Sequence, residues 1–299
     1  MKPWILLARL PFCFAGVLPF IAGSFLALRM EKVFNLSVFL WGLGAVVLIM
    51  LSANFNGEIY DINEDRFSAK LGRSPFYGGS QVIVNKLVSP GKVNLASCLI
   101  IIFAFAIGLL LQFYFKTGPW TIPLGLTGII TGFYYSKPPF RWAKRGIGEL
   151  LIAYSYGWLP VAVGFYLQAG SINSHVHWIS IPIACSIFNV ILINEFPDYN
   201  ADSQAGKRNL VVRLGKDKAA VIYVLIAITG IITFFISLTK GLPLAGGLFY
   251  LPVGVISFVA IFMMVLGNFN NRVLLERMCL ITILVNIGVN LVYIGILLF

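Results

Sequence analysis

The chain alternates long apolar segments with short polar ones. Windows of about 20 apolar residues, the length that crosses a bilayer as a helix, recur along the whole sequence. The predicted spans are 10–29, 37–58, 94–115, 119–136, 148–168, 177–196, 219–239, 243–266 and 278–298. The first lacks the small-residue cleavage pattern of a signal peptide, so we interpret it as a helix. The pattern predicts an all-α membrane protein with nine transmembrane helices.

Composition supports this interpretation. Hydrophobic residues make up 59% of the 299 positions and charged residues 11%, against about 25% charged in ordinary soluble domains. The cysteines all fall in predicted spans without C-x-x-C spacing, so we expect small apolar core residues: Cys13, Cys98, Cys185 and Cys279.

The basic residues predict an orientation. With nine spans, 18 of the 22 lysines and arginines lie on the side that holds the N-terminus, together with ten of the 11 acids. The opposite side has four basic residues, namely Arg29, Lys32, Lys116 and Lys240. The positive-inside bias therefore predicts a multi-pass protein of the cell membrane with a cytoplasmic N-terminus and an external C-terminus. Attraction to anionic lipid accounts for part of the positive charge, and we predict no nucleic-acid partner.

Two acidic blocks, 137 positions apart, are near copies of each other. Residues 58–65 and 195–202 both read E-x-x-D-x-N-x-D, and each is followed five residues later by a lysine, Lys70 or Lys207. The blocks contain seven of the 11 acidic residues, and each closes an apolar segment. Because carboxylates are costly near hydrocarbon, we interpret them as functional.

The duplication predicts two parallel halves of about four helices, related by an axis near the membrane normal. Acids spaced i, i+3 and i+7 share one helical face, and pairing of the halves would bring both faces over one central cavity. Hard oxygen ligands at such a place indicate a divalent metal and a phosphorylated substrate. A single block would fit solvated salt-bridge formers equally well, but its repetition favours the functional interpretation.

Basic residues follow both blocks. Lys70 and Arg73 lie in a glycine-rich loop after the first, and Lys207, Arg208 and Arg213 follow the second. Bridging metal ions leave charge on a diphosphate for lysine and arginine to meet. The positive-inside rule alone does not explain why these basic residues follow the acidic blocks.

The blocks resemble the motifs of a known family. Asn194-x-x-x-Asp198-x-x-x-Asp202 resembles the second aspartate motif of the UbiA superfamily of intramembrane prenyltransferases, and Asp61-x-x-x-Asp65 resembles the aspartates of its first motif. Two further segments resemble the family's tyrosine-containing loop after the fourth helix and its Arg-Pro entry to the first: Tyr134 to Pro139, continuing through Lys144 to Glu149, and Arg9 to Pro11.

One position departs from the family's pattern. The asparagine four residues before Asp61 is replaced by Gly57, with Asn54 and Asn56 close by. The resemblance otherwise covers essentially the whole chain, and it implies a single domain over residues 1–299 with the UbiA fold. The stretch from Asn194 to Gly215 is most similar to the 1,4-dihydroxy-2-naphthoate prenyltransferases of menaquinone biosynthesis, and the Gly-Gly-Ser-Gln after the first motif fits the same branch.

The resemblance implies a mechanism. Two Mg²⁺ ions would be held through the phosphate oxygens of a polyprenyl diphosphate, and an aromatic acceptor would attack the allylic carbocation. The metal ligands would be Asp61, Asp65, Asp198 and Asp202. The diphosphate would be bound by Lys70, Arg73, Lys137, Lys207 and Arg9. The cation would be stabilised by Tyr134, Tyr135 and Asn194, and a proton would be accepted by Glu58 or Glu195.

Other functions remain open at this point. A lipid acceptor would make the enzyme an archaeal-type geranylgeranylglyceryl phosphate geranylgeranyltransferase. A cation-coupled transporter would also have repeats and buried acids, but such sites lie near the bilayer midplane, whereas these acids close apolar segments beside basic loops. A diphosphate-lipid phosphatase would share metal and substrate but lacks an evident nucleophile or histidine base.

Overall fold

The computed structural model describes residues 2–71 and 79–298, with the side chains of all of these except Pro11 and residues 68–71. Regular secondary structure in this part of the chain is helical throughout, which confirms the all-α prediction. The α-helices are α1 Lys2–Ala8, α2 Leu10–Glu31, α3 Leu36–Tyr60, α4 Ile62–Leu71, α5 Pro90–Leu109, α6 Thr121–Phe133, α7 Gly148–Ile152, α8 Leu159–Ala169, α9 Ser174–Gln204, α10 Leu210–Leu214, α11 Lys216–Thr239, α12 Gly246–Val265 and α13 Arg272–Leu298.

Eight segments of the described chain are long and apolar enough to cross a membrane. One of them, Gly148–Ala169, joins α7 to α8 through a π-helical turn at Ala153–Trp158. The predicted fourth span corresponds to α6, which has only 13 residues. Asparagines set the starts of two long helices, because the Asn35 side chain accepts from the Val38 N–H (3.1 Å) and the Asn173 side chain from the His175 N–H (3.1 Å).

The two halves of the molecule are joined by a close crossing of α2 and α8. A side chain at Gly23 would overlap the Val161 carbonyl, and one at Gly164 would overlap the Phe20 carbonyl. Small residues at the crossing let the two helix backbones come into direct contact, as is common between membrane helices. The Ser24 hydroxyl adds an interhelical hydrogen bond to the Gly164 carbonyl at 3.3 Å.

Helix α9 runs for 31 residues and carries the second acidic block near its end. Pro197 lies within it and has no N–H, so the Ile193 carbonyl lacks its usual helical partner. The Cys279 thiol of α13 donates to that carbonyl at 3.9 Å. The four cysteines are free thiols, and Cys279 and Cys13 are buried.

The order of helices agrees with two parallel halves. The first block spans the end of α3 and the start of α4, the second lies near the end of α9, and both face the same cavity. α13 packs against α2 and α9 and so spans the junction. Large apolar side chains such as Ile102, Phe103 and Phe258 are more than half exposed, as expected for a surface that faces lipid.

Candidate active site

A cavity of about 240 Å³ lies between the two halves, at the acidic ends of α3 and α9. Side chains from α2, α3, α6 and α9 line it, together with the π-helical turn. Both acidic blocks face it, as the duplication predicts. Its polar and charged lining includes Arg9, Asn54, Glu58, Asp61, Glu64, Asp65, Tyr135, Ser136, Ser155, Tyr156, Asn194, Glu195, Asp198, Asp202 and Lys207.

The second block lies on the continuous helix α9, and the loop after it folds back onto Asp202. The Lys207 ammonium lies 3.2 Å from Asp202 Oδ2, and the Asn209 side-chain amide donates to the same oxygen at 2.7 Å. Asn209 Oδ1 in turn caps α10 by accepting from the Val212 N–H at 2.9 Å. The start of α10 thus fixes the loop that delivers Lys207.

The first block departs from the predicted single helical face, because the helix is interrupted at Asp61. α3 ends at Tyr60, and Asp61 has φ −104° and ψ 17° as its cap. The backbone hydrogen bonds on either side are kept, since the Asp61 N–H donates to the Gly57 carbonyl and the Asp65 N–H to the Asp61 carbonyl, both at 2.9 Å. The Ser136 hydroxyl donates to Asp61 Oδ2 at 2.7 Å.

The loop that returns toward α5 lies against the same block. The Ser80 N–H donates to Glu58 Oε1. Gly79 has φ +62°, and a Cβ there would overlap the Asp65 carboxylate. Glycine is therefore needed at this position both for its left-handed backbone and for the close approach.

A chain of contacts joins the first block, the segment between α6 and α7, and the loop after the second block. Glu64 of the first block pairs with Lys144, and the Lys144 carbonyl accepts from the Arg208 N–H at 3.3 Å. The second block has Ala201 at the position of Glu64, so this bridge has no counterpart there. The segment 141–149 thereby connects the first block to the Lys207 loop.

Lys207 lies within the fields of both blocks. Burial by itself would lower its pKa, but the carboxylates of Asp202, Asp61 and Glu195 raise that pKa well above the usual value for lysine. The ammonium therefore stays charged. It is the basic side chain most directly placed between the two motifs in the described part of the chain.

The first-block aspartates are crowded with negative charge. Burial raises the pKa of Asp61, opposed by Lys207 and by the hydrogen bond from Ser136. Burial, together with the charges of Glu58 and Asp61, raises the pKa of Asp65 to about 8, and Arg9 opposes this shift. The crowding favours the protonated form of Asp65 near neutral pH, and a bound metal cation would favour its carboxylate form.

Arg9 enters the cavity from a break between α1 and α2. Its backbone is left-handed, with φ 46° and ψ 47°, which costs about 1–2 kcal/mol for a residue other than glycine. The break leaves the Ala8 carbonyl exposed to α3, where the Asn54 side-chain amide donates to it at 2.9 Å. The Arg9 guanidinium lies 4.5 Å from the centre of the Phe12 ring.

Asn54 and Asn56 therefore have different surroundings. Asn54 lines the cavity and holds the α1–α2 break. Asn56 is fully buried, donates to the Phe133 carbonyl at 3.2 Å and accepts from the Ser97 hydroxyl at 3.2 Å. Asn56 thus ties α3 to α5 and α6.

The two predicted tyrosines separate. Tyr135 lines the cavity, and burial together with Glu195 and Glu149 raises the pKa of its phenol well above the usual value, so its O–H is retained as a donor. Tyr134 instead packs edge-on against Phe133 and Phe140, with ring centroids 5.3 and 5.4 Å away. Among the described residues it is not part of the cavity lining.

The predicted diphosphate-binding residues are also divided. Arg9 and Lys207 line the cavity. Lys137 lies over the Phe133 ring at 4.1 Å and is not among the described lining residues. Arg73 lies outside the described residues, as does the side chain of Lys70. The roles of all five, like those of the predicted catalytic residues, stay predictions.

Several residues around the site were not predicted. Ser136, Lys144, Glu149 and Asn209 contact the blocks or the Lys207 loop, and Glu149 is buried and accepts from the Leu210 N–H at 2.6 Å. Three of these lie in the segment from Tyr134 to Glu149 that the sequence singles out, and Asn209 directly follows the Lys-Arg pair. The sequence thus marks their neighbourhood, but the partners of Ser136, Lys144 and Glu149 lie more than 60 positions away along the chain.

The site fits divalent cations that are held partly by substrate. Seven carboxylates and two basic side chains line the cavity in the described part of the chain, and Asp61 Oδ1 is buried without a hydrogen-bond partner there. No group of three or more ligating side chains among the described residues is arranged to enclose an ion alone. Mg²⁺ commonly uses one or two carboxylates and completes its shell with phosphate oxygens and waters.

A second, apolar cavity of about 100 Å³ adjoins the first and extends between α3, α5, α6 and α8. Its lining is mainly glycine, alanine and branched aliphatic side chains, and it reaches Leu111, Thr121 and Leu167 at the far ends of these helices. A polar cavity rich in carboxylates thus lies directly beside an apolar one within the bundle.

Comparison with known proteins identifies the family. The model of the UbiA prenyltransferase family matches residues 16–287. The chain is 28% identical over 203 residues to 1,4-dihydroxy-2-naphthoate octaprenyltransferase of Bacillus subtilis, covering 67% of this chain and 62% of that protein. It is 26% identical over 216 residues to 2-carboxy-1,4-naphthoquinone phytyltransferase of Synechocystis sp., covering 72% and 66%. The matches therefore span slightly less than two thirds of these relatives.

Similarity also extends to solved structures. The fold superposes on a UbiA homolog from Archaeoglobus fulgidus bound to GPP and Mg²⁺ with a TM-score of 0.64 at 16% identity, covering 98% of this chain and 99% of that one. At this identity the superposition establishes the fold alone, and it confirms the predicted bundle around a central cavity. Together with the family model, which matches most of the sequence, it shows that the chain belongs to the UbiA prenyltransferase family.

Proposed function

We propose that this protein transfers a prenyl group from a polyprenyl diphosphate to an aromatic acceptor of the naphthoate class. The observation that carries the proposal is the convergence of two duplicated carboxylate blocks on one cavity that adjoins an apolar cavity. The relatives named as naphthoate and naphthoquinone prenyltransferases support the acceptor class. We further propose that residues 1–299 act as a single domain.

The two aspartate pairs would hold the metal. Asp61 and Asp65 would bind one Mg²⁺ and Asp198 and Asp202 the other, each together with phosphate oxygens and water. When bound, the ions would neutralise the charge that develops on the departing diphosphate. The excess of carboxylates in the cavity supports this assignment.

The basic residues would bind the remaining diphosphate charge. Lys207 is already held beside Asp202 at 3.2 Å and stays protonated, so it needs little rearrangement to contact a phosphate oxygen. Arg9 lines the same cavity, and its charge acts on Asp65. Lys70 is the counterpart of Lys207 in the first half, and Arg73 follows it. Both would complete the cluster of basic residues, although their side chains are outside the described part.

The apolar cavity would take the prenyl chain. Its lining is about as apolar as the lipid interior. A prenyl chain entering from the bilayer would therefore not be exposed to water. The electron-rich acceptor carbon would then attack the allylic carbon and lose a proton. Glu58 and Glu195 are the carboxylates we assign to accept it, and the Asn194 amide, also in the lining, would stabilise the developing positive charge.

The test is a transfer assay with purified protein, Mg²⁺ and a radiolabelled prenyl diphosphate. We expect an adduct with 1,4-dihydroxy-2-naphthoate to form faster than one with 4-hydroxybenzoate or with a glyceryl phosphate ether. A preference for the glyceryl phosphate would place the enzyme in archaeal lipid synthesis and contradict the acceptor class. Free prenol alone would indicate a hydrolase, and unchanged diphosphate with every acceptor would contradict transfer and leave a transporter.

A further inference from the structure

Four residues line both cavities and so mark the boundary between them: Ala53, Gly132, Ser155 and Tyr156. In an allylic diphosphate the bond that breaks joins the last phosphate oxygen to the first carbon of the chain. If the diphosphate occupies the polar cavity and the chain the apolar one, that bond must lie at this boundary. The four shared residues would then lie around the reacting carbon.

Only two of these residues carry polar or aromatic groups, and a local irregularity of the backbone presents both. Ser155 and Tyr156 lie in the π-helical turn at Ala153–Trp158, a feature frequently found at functional sites. A Cβ on the next residue, Gly157, would overlap Ala184 of α9. This close packing fixes the turn against the helix that carries the second block. The Ser155 hydroxyl is buried without a partner among the described residues.

We propose that Tyr156 is a catalytic residue whose ring stabilises the allylic cation during transfer. The bond between the allylic carbon and the diphosphate oxygen breaks with both electrons leaving on oxygen. The acceptor carbon supplies the electron pair of the new carbon–carbon bond and then loses its proton. Between these events the positive charge lies on the allylic carbon at the boundary, where an aromatic face attracts it. This inference rests on the proposed transferase function.

The other aromatic candidates are less well placed. Tyr135 lies among Glu195, Glu149 and Lys207, at the level of the carboxylates, where the diphosphate would be bound. Tyr154 precedes Tyr156 in the same turn, but its ring stacks on Trp158 at 5.6 Å and it lines neither cavity in the described part of the chain. Tyr154 is therefore a matched control.

The experiment replaces Tyr156 by phenylalanine and by mono-, di- and trifluorinated phenylalanine, which keep the ring's size while weakening its attraction for cations. We expect Tyr156→Phe to retain kcat within about 3-fold and each added fluorine to lower kcat by about another 3-fold. KM for the prenyl diphosphate should change little, because its diphosphate is bound elsewhere. The same series at Tyr154 should leave kcat unchanged.

The outcomes separate the two levels of the argument. A flat series at Tyr156 in an active enzyme would mean that the ring only packs, and it would overturn this inference while leaving the transferase function intact. Loss of activity already at Tyr156→Phe would assign the role to the hydroxyl and would equally overturn it. If the unmodified protein forms no adduct with any acceptor, the proposed function fails and the assignment of Tyr156 fails with it.

Discussion

Asp61 and Asp198 hold equivalent positions in the two acidic blocks, each three residues after a glutamate. If each pair binds its own ion through one diphosphate, Asp61→Asn and Asp198→Asn should each remove nearly all transfer activity, because an amide is a weak Mg²⁺ ligand. Thermal unfolding should be nearly unchanged, since asparagine has almost the shape of aspartate and keeps an acceptor oxygen for groups such as the Ser136 hydroxyl. Activity should be lost with EDTA and restored by Mg²⁺.

The control for this prediction is Asp217→Asn, which alters an exposed carboxylate in the first turn of α11, away from the cavity. It should retain full activity. A fully active Asp198→Asn variant would contradict the assignment of one ion to each block.

Lys207 tests whether the duplicated lysines bind diphosphate or serve only the orientation of the protein. Its ammonium lies between the blocks, whereas Lys92 is exposed near the start of α5. Lys207→Met should weaken the binding of geranyl diphosphate by about 1.5–3 kcal/mol, the contribution of a charge-assisted hydrogen bond. Lys92→Met should change it little. Calorimetric titration measures both, and equal small losses would mean that the diphosphate is bound by other residues of the loops.

At the scale of residues, the sequence predicts the acids more readily than their partners. The carboxylates could be identified because their cost near hydrocarbon and their repetition are visible in the chain itself. Ser136 and Asn209 donate to Asp61 and Asp202, but a serine or an asparagine in a loop has many uses. Only the folded chain reveals which carboxylate each one contacts.

At the scale of elements, the long helices could be predicted because their length is imposed by the bilayer. The shorter elements α1, α4 and α10 have too few residues for a period to be recognised. The π-helical turn that presents Tyr156 and the helix break at Arg9 depend on contacts with α9 and α3. Hydrophobic pattern carries no information about such contacts.

The break at Arg9 yields a prediction about Asn54. Because the Asn54 amide holds the Ala8 carbonyl at 2.9 Å, Asn54→Leu should release the break and withdraw Arg9 from the cavity. We expect geranyl diphosphate to bind about 10- to 100-fold more weakly, the range for loss of a hydrogen bond to a charged group. Arg9→Met should have a similar effect.

A double-mutant cycle distinguishes this indirect role from direct contact. If Asn54 acts only through Arg9, the double variant should bind no more weakly than Arg9→Met alone, since the two changes remove the same interaction. If Asn54 itself contacts the ligand, the two losses should add. Additive losses would contradict the positioning role.

At the scale of the whole molecule, the two halves are similar in plan and different in detail. Both blocks face one cavity, but only the first has a glutamate paired with Lys144, and only the second lies on an unbroken helix. The repeat allowed the common cavity to be predicted before any contact was known. The change from Glu64 to Ala201 is visible in the sequence, but the partners Lys144 and Ser136 lie outside the repeat, and these the duplication could not predict.

The distribution of basic residues predicts how the molecule sits in its membrane. Lys218 lies in the first turn of α11, on the side predicted to carry most of the positive charge, and Lys116 follows α5 on the side predicted to be opposite; both are exposed. Single cysteines, Lys218→Cys and Lys116→Cys, can be introduced after the four native cysteines are replaced by alanine and activity has been verified.

A membrane-impermeant maleimide should label Lys116→Cys, and not Lys218→Cys, in right-side-out vesicles, because loops rich in lysine and arginine are retained in the cytoplasm. Inverted vesicles should give the opposite result. The reverse pattern would place the carboxylate cavity on the outer face, and equal labelling of both positions would mean that the protein inserts in two orientations.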